Sequence, residues 1–211
     1  APSSLTTTTY YRAVVTNGTC SAANSSSATM TVVSDPSASQ GTASQTLCQN
    51  GTPTDLSLSV SNGTGSVSYQ WYSNTSNSNS GGTVISSNGT SATYTPVTSA
   101  NGTKYYYCVV TKDGNGCDAA TSDVASVTVD ATSAGGSISG GTTVCSGGGG
   151  TLTLSGHTGS VTKWQSDDNS GFSSPSDIVN TSTSYAPSSL TTTTYYRAVV
   201  TNGTCSAVNS S

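Results

Sequence analysis

The first 26 residues of the chain return almost unchanged as its last 26. Residues 1–26 and 186–211 differ only where Ala23 is matched by Val208, and the offset between the two copies is 185 residues. A repeat this faithful indicates a tandem array, in which similar structural units follow one another. Because the chain begins and ends inside a repeat, we expect it to be part of a longer protein.

The composition excludes several classes of function. Charged residues make up 7% of the chain, with five Lys or Arg residues and a net charge of −4. Nucleic-acid binding needs clusters of basic side chains, so this balance predicts no nucleic-acid partner. No apolar stretch is long enough to cross a bilayer, which predicts no membrane insertion. With a single His and no nucleophile beside a base, we expect a non-catalytic protein without a cofactor.

Short segments of alternating polarity predict an all-β fold. Nearly four residues in ten are Ser or Thr, a composition that also occurs in disordered linkers. Against disorder stand period-two segments rich in Val, Leu and Tyr, at residues 56–60, 67–71, 105–111 and 124–129. Asn-Gly pairs, which close β-hairpins, occur at residues 17, 50, 62, 88, 101 and 202. No segment has a helical period with caps.

Two breaks divide the chain into three segments. The Asp35-Pro36 step and the Gly-rich run near Gly135 are typical of boundaries between folded units. We expect the closing strands of one domain, then a complete domain, then a domain that lacks its final strand, at residues 1–33, 34–130 and 131–211. The 185-residue offset makes the first and third segments the same domain type.

The second and third segments are distant copies of each other. Residues 105–111 match residues 195–201, and residues 46–48 match residues 143–145. About 90 residues, seven or so short strands and a Trp after the second strand predict a sandwich of immunoglobulin type. The sequence therefore predicts tandem immunoglobulin-like β-sandwich domains in an elongated array.

The two Trp residues are placed differently after matching valines. Trp71 follows Val67 by four residues, whereas Trp164 follows Val161 by three. A one-residue difference turns a side chain to the opposite face of a sheet. If both rings are buried, as we expect, one strand carries a β-bulge or starts one residue out of step.

Six cysteines in a chain of low charge predict disulfides and an extracellular setting. The third segment has only Cys145 and Cys205, so we expect that pair. Their counterparts in the second segment are Cys48 and Cys117, which we expect to pair likewise. Cys108 takes the place of an Ala in the other domain type, which predicts a buried, unpaired thiol.

Two other connectivities remain compatible with the sequence. Cys48 could bond Cys108, which occupies the usual place of the second immunoglobulin cysteine. The spacing from Cys20 to Cys48 equals that from Cys117 to Cys145, so bridges across domain junctions are also open.

No metal site is predicted. Residues 112–118 and 166–171 each place several oxygen-bearing side chains in a tight loop, but neither has a full calcium-ligand set, and hairpin turns explain them better. Tyrosine is the one residue type suited to binding, since exposed rings stack on sugars or on partner proteins. The candidate surface contacts are Tyr72, Tyr105 and Tyr107, although packing between neighbouring strands explains them as well.

The strings TTTYYRAVVTNGTCS at residues 192–206 and GTTVCSG at residues 141–147 resemble immunoglobulin-like repeats of giant Bacteroidetes surface proteins. The family that they resemble is that of the SprB-type gliding-motility adhesins, and the likeness covers nearly the whole chain. The resemblance implies type IX secretion, a place at the bacterial cell surface and a role in cell adhesion. It implies no catalytic residue. Cys108 departs from the pattern.

The leading functional hypothesis is structural. We expect a stalk or filament segment of a large repetitive adhesin, which presents an adhesive region away from the cell. Its expected partners are neighbouring repeats of the same chain, with surface glycans or lateral copies of itself as further candidates. The alternatives are a glycan- or protein-binding module and a spacer between the domains of a secreted hydrolase.

Overall fold

A computed structural model describes residues 4–42, 44–114 and 119–211. This part of the chain consists of β-strands, turns and loops and contains no helix, which confirms the predicted all-β class. None of it forms a helix that could span a membrane. The strands are β1 Thr9–Tyr11, β2 Val14–Val15, β3 Ala23–Asn24, β4 Ala28–Met30, β5 Ser37–Gln40, β6 Ser44–Cys48, β7 Leu56–Ser61, β8 Thr64–Asn74, β9 Thr83–Val84, β10 Thr93–Tyr94, β11 Gly102–Gly114, β12 Ala120–Thr121, β13 Ala125–Asp130, β14 Ser137–Ser139, β15 Leu152–Ser155, β16 Ser160–Asp167, β17 Ser176–Ile178, β18 Ser184–Tyr185, β19 Tyr195–Thr201 and β20 Val208–Asn209.

The chain divides into two compact units. The first comprises residues 1–43, 55–94 and 105–125, and the second comprises residues 44–54, 95–104 and 126–211. These units cut across the predicted segment 34–130, so the three domain boundaries and the elongated array stay predictions.

Two sheets form the first unit. One has the order β10-β7-β5, and in the other β11 pairs antiparallel with β8, which in turn pairs with β9. Leu56, Trp71, Tyr106 and Val110 from both sheets are buried between them. The unit also holds two separate pairs, β1 with β4 and β2 with β3.

The second unit contains a sandwich of the same design. Its sheets have the orders β14-β15-β18 and β17-β16-β19-β20. Their shared core contains Leu152, Leu154, Val161, Trp164 and Val200. Two antiparallel sheets packed around a buried Trp are the immunoglobulin-type arrangement that the sequence predicts. The unit also holds β6 and most of β13, which pair in parallel.

Both Trp rings occupy the same place in their sandwiches. Trp71 and Trp164 are fully buried. Each indole N–H donates a 2.9 Å hydrogen bond to a backbone carbonyl, from Trp71 to Ser91 and from Trp164 to Ser182. The expectation that both rings are buried is confirmed.

A bulge in β16 reconciles the two Trp spacings. Val161 lies opposite Val200 and Lys163 lies opposite Val199, so Thr162 is an extra residue in the ladder. Val161 and Trp164 therefore both face the core although they are three residues apart, an arrangement that a regular strand excludes. The unequal spacings predict either a bulge or a strand that starts one residue out of step, and the structure has the bulge.

Candidate functional site

The ends of β6 and β13 bring Cys48 beside Asp130. The two strands pair in parallel, and their last register pair sets Asp130 opposite Cys48. Parallel pairing makes both strands end at the same edge of the sheet. The sulfur of Cys48 and the carboxylate of Asp130 therefore lie side by side. The chain continues from Asp130 into the third segment.

A tight turn of the third segment lies against this edge. It follows β19 and reads Asn202-Gly-Thr-Cys205, with the Cys205 N–H donating to the Asn202 carbonyl at 2.9 Å. Gly203 has a φ of +50°, a left-handed conformation that suits glycine. The turn places the thiol position of Cys205 at its end.

Cys48 and Cys205 form a disulfide, with their Cα atoms 4.7 Å apart. The predicted pairs Cys48–Cys117 and Cys145–Cys205 are therefore wrong, and so is the alternative Cys48–Cys108 bridge. Cys145 is an exposed free thiol, and Cys117 lies outside the described residues. The reason is geometric: a disulfide needs Cα atoms about 4.4–6.8 Å apart, and β6 carries Cys48 to the sheet edge that the Cys205 turn contacts.

Asp130 reinforces the bridge with two hydrogen bonds. Its Oδ2 accepts from the Thr204 backbone N–H at 2.8 Å and from the Thr204 hydroxyl at 3.0 Å. A Cβ added at Gly203 would collide with the Asp130 carboxylate, so this approach requires glycine. Charge-assisted bonds to a carboxylate are the stronger class of hydrogen bond.

Asn202 contacts the chain just after Asp130. Its side-chain amide donates to the Ala131 carbonyl at 2.7 Å, and its backbone N–H donates to the Ser133 hydroxyl at 2.9 Å. We call the Cys48–Cys205 bridge, Asp130 and the turn from Asn202 to Thr204 the junction clamp. The sequence shows the turn through its Asn-Gly pair, but it gives no sign of the turn's contact with Asp130.

A second copy of the turn lies free near the start of the chain. The Cys20 N–H donates to the Asn17 carbonyl at 3.1 Å, and Gly18 has a φ of +56°. Nothing lies within 4 Å of a Cβ added at Gly18, and Cys20 is an exposed free thiol. The turn therefore keeps its conformation without the contacts of the junction clamp.

The candidate tyrosines are less accessible than predicted. Tyr107 is buried, because its ring stacks on Tyr72 at 5.0 Å between centroids and its hydroxyl accepts from the Gly82 N–H. This result corrects the prediction of Tyr107 as a surface contact. Tyr72 and Tyr105 are half-buried. Among the described tyrosines, Tyr10 is far more exposed, at 70%.

Cys108 is a buried free thiol, as the sequence predicts. Its backbone N–H donates to the Ser122 hydroxyl at 3.0 Å. Burial raises the pKa of the thiol to about 11. The group is therefore a neutral, unreactive part of the core at neutral pH.

The loop at residues 166–171 is a structured turn. The Asp167 carboxylate accepts from the backbone N–H groups of Asn169 and Ser174 at 3.0 and 2.9 Å. These bonds, led by that of Ser174, lower the pKa of Asp167. In the part of the chain that the structure describes, no three His, Cys, Asp or Glu side chains converge as a metal site would require. The other candidate loop, at residues 112–118, lies partly outside the described residues.

Comparison with solved structures finds similarities at low identity. Domains A168–A170 of titin are 13% identical, with 97% of this chain and 73% of that chain covered and a TM-score of 0.47. Murine CEACAM1b is 14% identical, with 84% of this chain and 96% of that chain covered and a TM-score of 0.37. Fibronectin(III)-like modules of Clostridium thermocellum CbhA are 14% identical, with 82% of this chain and 91% of that chain covered and a TM-score of 0.35. These low scores transfer no function to the chain.

No curated protein matches the sequence. A family model described as a domain of unknown function, DUF8696, matches residues 1–34, 37–131 and 134–211. The three matches follow one another and together span nearly the whole chain. Cys48 lies in the second matched range and Cys205 in the third. The chain therefore belongs to the DUF8696 family, whose model matches three successive stretches of it.

Proposed function

We propose that the chain is a stalk segment of a large repetitive cell-surface adhesin, which holds an adhesive region away from the cell. The observation that carries this proposal is the disulfide between Cys48 of the second family match and Cys205 of the third. The bridge joins the second family match to the third covalently at a point other than the linker. Both cysteines lie in one compact unit, and in this proposal their bridge keeps the two matched stretches together under strain.

The hydrogen bonds of the junction clamp support the same role. Asp130 and Ala131, on the connecting chain, both bond the turn that carries Cys205. The linker is thus held at its start, where a free linker would act as a hinge. Few charges are involved, since only 7% of the residues are charged, and such a stalk depends little on ionic strength.

The disulfide also supports an extracellular location. Structural disulfides persist in oxidising compartments and are rare in the cytosol. With the resemblance to SprB-type repeats, this favours a surface protein of the Bacteroidetes that is exported by type IX secretion and serves gliding motility. In this proposal the chain is not an enzyme, and its direct partners are its neighbouring repeats.

Stretching a single chain by its ends tests the stalk proposal. In the oxidised protein the bridge shields the residues between Cys48 and Cys205, which are 157 positions apart, from the applied force. Reduction should therefore lengthen the fully extended chain by about 500 Å, at up to ~3.5 Å per residue. An oxidised chain that extends to its full length would contradict a covalently braced stalk.

The alternative is a binding module that uses exposed tyrosines. Tyr10 and Tyr195 occupy equivalent places in the repeat and are 70% and 40% exposed. A glycan array probed with the full chain separates the two functions. Specific glycan binding that is lost in Tyr195→Ala would favour the binding module, whereas the stalk proposal expects no bound glycan.

A further inference from the structure

Chain length alone would favour a different partner for Cys205. Cys145 lies 60 positions before it in the sequence, whereas Cys48 lies 157 positions before it. The entropic cost of closing a flexible loop grows with the logarithm of the loop length. An unfolded chain therefore brings Cys205 to Cys145 about four times as often as to Cys48. Since the structure joins Cys205 to Cys48, some feature of the fold selects the more distant thiol.

The pairing of β6 with β13 places Asp130 beside Cys48 without help from the disulfide. Five successive register pairs join the two strands, from Ser126 with Ser44 to Asp130 with Cys48. The Ser126 hydroxyl also donates to the Ser44 hydroxyl at 2.8 Å. None of these contacts involves Cys205. The strand pair alone therefore sets the position of the Asp130 carboxylate next to the Cys48 sulfur.

The turn that carries Cys205 is held at this edge by bonds that use no sulfur atom. The Asp130 Oδ2 accepts from the Thr204 N–H at 2.8 Å and from the Thr204 hydroxyl at 3.0 Å. The Asn202 side-chain amide donates to the Ala131 carbonyl at 2.7 Å. The Cys205 Sγ lies 3.2 Å from the same carbonyl oxygen. Because the hydrogen bonds of Asp130 and Asn202 need no disulfide, they can form while both cysteines are still thiols.

These bonds are strong enough to reverse the preference that loop length sets. A hydrogen bond to a charged group shifts an equilibrium by about tenfold or more, which exceeds the fourfold advantage of Cys145. Holding two reacting groups side by side also raises their effective concentration. The Cα atoms of Cys48 and Cys205 are 4.7 Å apart, a separation that suits a disulfide. A turn docked on Asp130 thus has its sulfur where Cys48 can reach it.

We propose that Asp130 is a positioning residue that directs Cys48 to Cys205 during oxidative folding. The Asp130 carboxylate docks the turn at residues 202–205 before the disulfide forms. The docked turn then presents Cys205 to Cys48 in preference to Cys145. This role is independent of the proposed stalk function.

The oxidation itself is an exchange with a small disulfide such as glutathione disulfide. The thiolate of one cysteine attacks that disulfide, which forms a mixed disulfide and releases one glutathione thiolate. The thiolate of the other cysteine attacks the mixed disulfide, forms the Cys48–Cys205 bond and releases the second glutathione. Two electrons pass from the protein to glutathione, and the two protons lost by the cysteines end on the two glutathione thiols.

Refolding of the reduced full chain in a glutathione redox buffer tests the proposal. Samples are quenched with acid at early times, and peptide mapping by mass spectrometry gives the ratio of the Cys48–Cys205 to the Cys145–Cys205 disulfide. In the parent chain we expect this ratio to exceed one from the first time points. Asp130→Ala should lower the early ratio at least about tenfold, because Thr204 loses the acceptor of both its bonds.

Two further variants separate direction of the cysteines from general stability. Asp130→Asn keeps an oxygen acceptor at the same position and should restore most of the parent ratio. Thr162→Ala removes a hydrogen bond to Val199 in the same unit, away from the junction clamp, and should leave the ratio unchanged. An Asp130→Ala ratio equal to that of the parent overturns the proposal. A Thr162→Ala ratio as low as that of Asp130→Ala overturns it too.

Hydrogen exchange of the fully reduced parent chain is the second readout, and it decides if Asp130→Ala fails to fold. The Thr204 amide should exchange at least about tenfold more slowly than the Thr19 amide, because only Thr204 donates to Asp130. Thr19 is the matched control, since it occupies the same place in the copy of the turn near the start of the chain. Equal exchange of the two amides would show that the turn docks only after oxidation, which overturns the proposal.

Discussion

Two glycines in the same sequence context experience different surroundings. Gly18 and Gly203 both sit in an Asn-Gly-Thr-Cys turn with a φ near +50°. Only Gly203 contacts another part of the chain, the Asp130 carboxylate. The pair separates the intrinsic strain of a left-handed residue from the effect of the contact.

Gly203→Ala should destabilise the second unit by more than its conformational strain alone. The left-handed conformation costs an alanine about 1–2 kcal/mol, and displacement of Asp130 adds about 1–3 kcal/mol from the disturbed hydrogen bonds. Denaturant unfolding followed by Trp fluorescence measures the change. Gly18→Ala is the control and should lose only the conformational strain of about 1–2 kcal/mol, because Gly18 is also left-handed but nothing lies close to it. Equal losses in the two variants would show that the Asp130 contact contributes nothing.

Burial of Cys108 makes the first unit lose stability as the pH rises into the alkaline range. Burial raises the pKa of this thiol from 9.0 to about 11 and that of Tyr106 from 10.0 to about 12. The unfolded chain therefore loses these protons at lower pH than the folded chain. The native state binds more protons above pH 9, so the free energy of unfolding falls as the pH rises through this range.

Cys108→Ala should remove the first part of this loss. In the parent chain the free energy of unfolding should begin to fall near pH 9, by up to about 3 kcal/mol for the thiol. In the variant the fall should begin nearer pH 10, where Tyr106 starts to ionise in the unfolded chain. Denaturant midpoints measured from pH 7 to 11 check this. Identical pH profiles for the two proteins would contradict a buried thiol at this position.

At the scale of the strand, β16 shows that an extra residue can be required for correct packing. Thr162 allows both Val161 and Trp164 to face the core. Its hydroxyl donates to the Val199 carbonyl at 3.1 Å, so the bulged residue is tied to the neighbouring strand. Removal of the bulge would force one of the two apolar side chains outward.

Deletion of Thr162 should destabilise the second unit by about 3 kcal/mol or more, as expected for the loss of a large core side chain. The emission of Trp164 should shift to longer wavelength if its ring becomes exposed. Thr162→Ala keeps the residue count and should lose only about 1 kcal/mol, the net value of one hydrogen bond. A deletion variant as stable as the alanine variant would show that the bulge is dispensable.

The strands and their faces could be predicted from sequence because they follow local rules. Period-two patterns gave the all-β class, and the unequal spacings before Trp71 and Trp164 gave the bulge. The burial of Tyr107 could not be predicted, because its contacts are distant in sequence. Its ring stacks on Tyr72 of β8, and its hydroxyl accepts a hydrogen bond from Gly82, just before β9. Alternation predicts which way a side chain points, but it does not say what lies on that side.

At the scale of the whole molecule, the repeat explains why the disulfide could not be predicted. Each sandwich has matching cysteines, which favours pairing within it. The bridge instead depends on contacts of the turn at residues 202–205 with Asp130 and Ala131, which no local pattern encodes. The equal spacing from Cys20 to Cys48 and from Cys117 to Cys145 left bridges across junctions open, but it does not pair Cys48 with Cys205, and Cys20 and Cys145 are free.

Loss of the disulfide should lower the stability of the second unit, whereas loss of the free thiol of Cys145 should not. Cys205→Ser should lower the free energy of unfolding by about 2–5 kcal/mol, as is typical when a native disulfide is removed. Cys145→Ser is the matched control and should change it by less than about 0.5 kcal/mol, since this thiol is exposed and free. Thermal unfolding under oxidising conditions compares the two. Similar melting temperatures for both variants would contradict a stabilising bridge.

The bridge also closes the backbone into a covalent ring. Cys48 and Cys205 are 157 positions apart, so most of the chain belongs to that ring. When a protease cuts a ring once, it opens the ring without releasing a fragment. A single scission between these cysteines therefore leaves one molecule on a non-reducing gel and two fragments after reduction. A protein built in this way survives an isolated cut that would sever an ordinary linear chain.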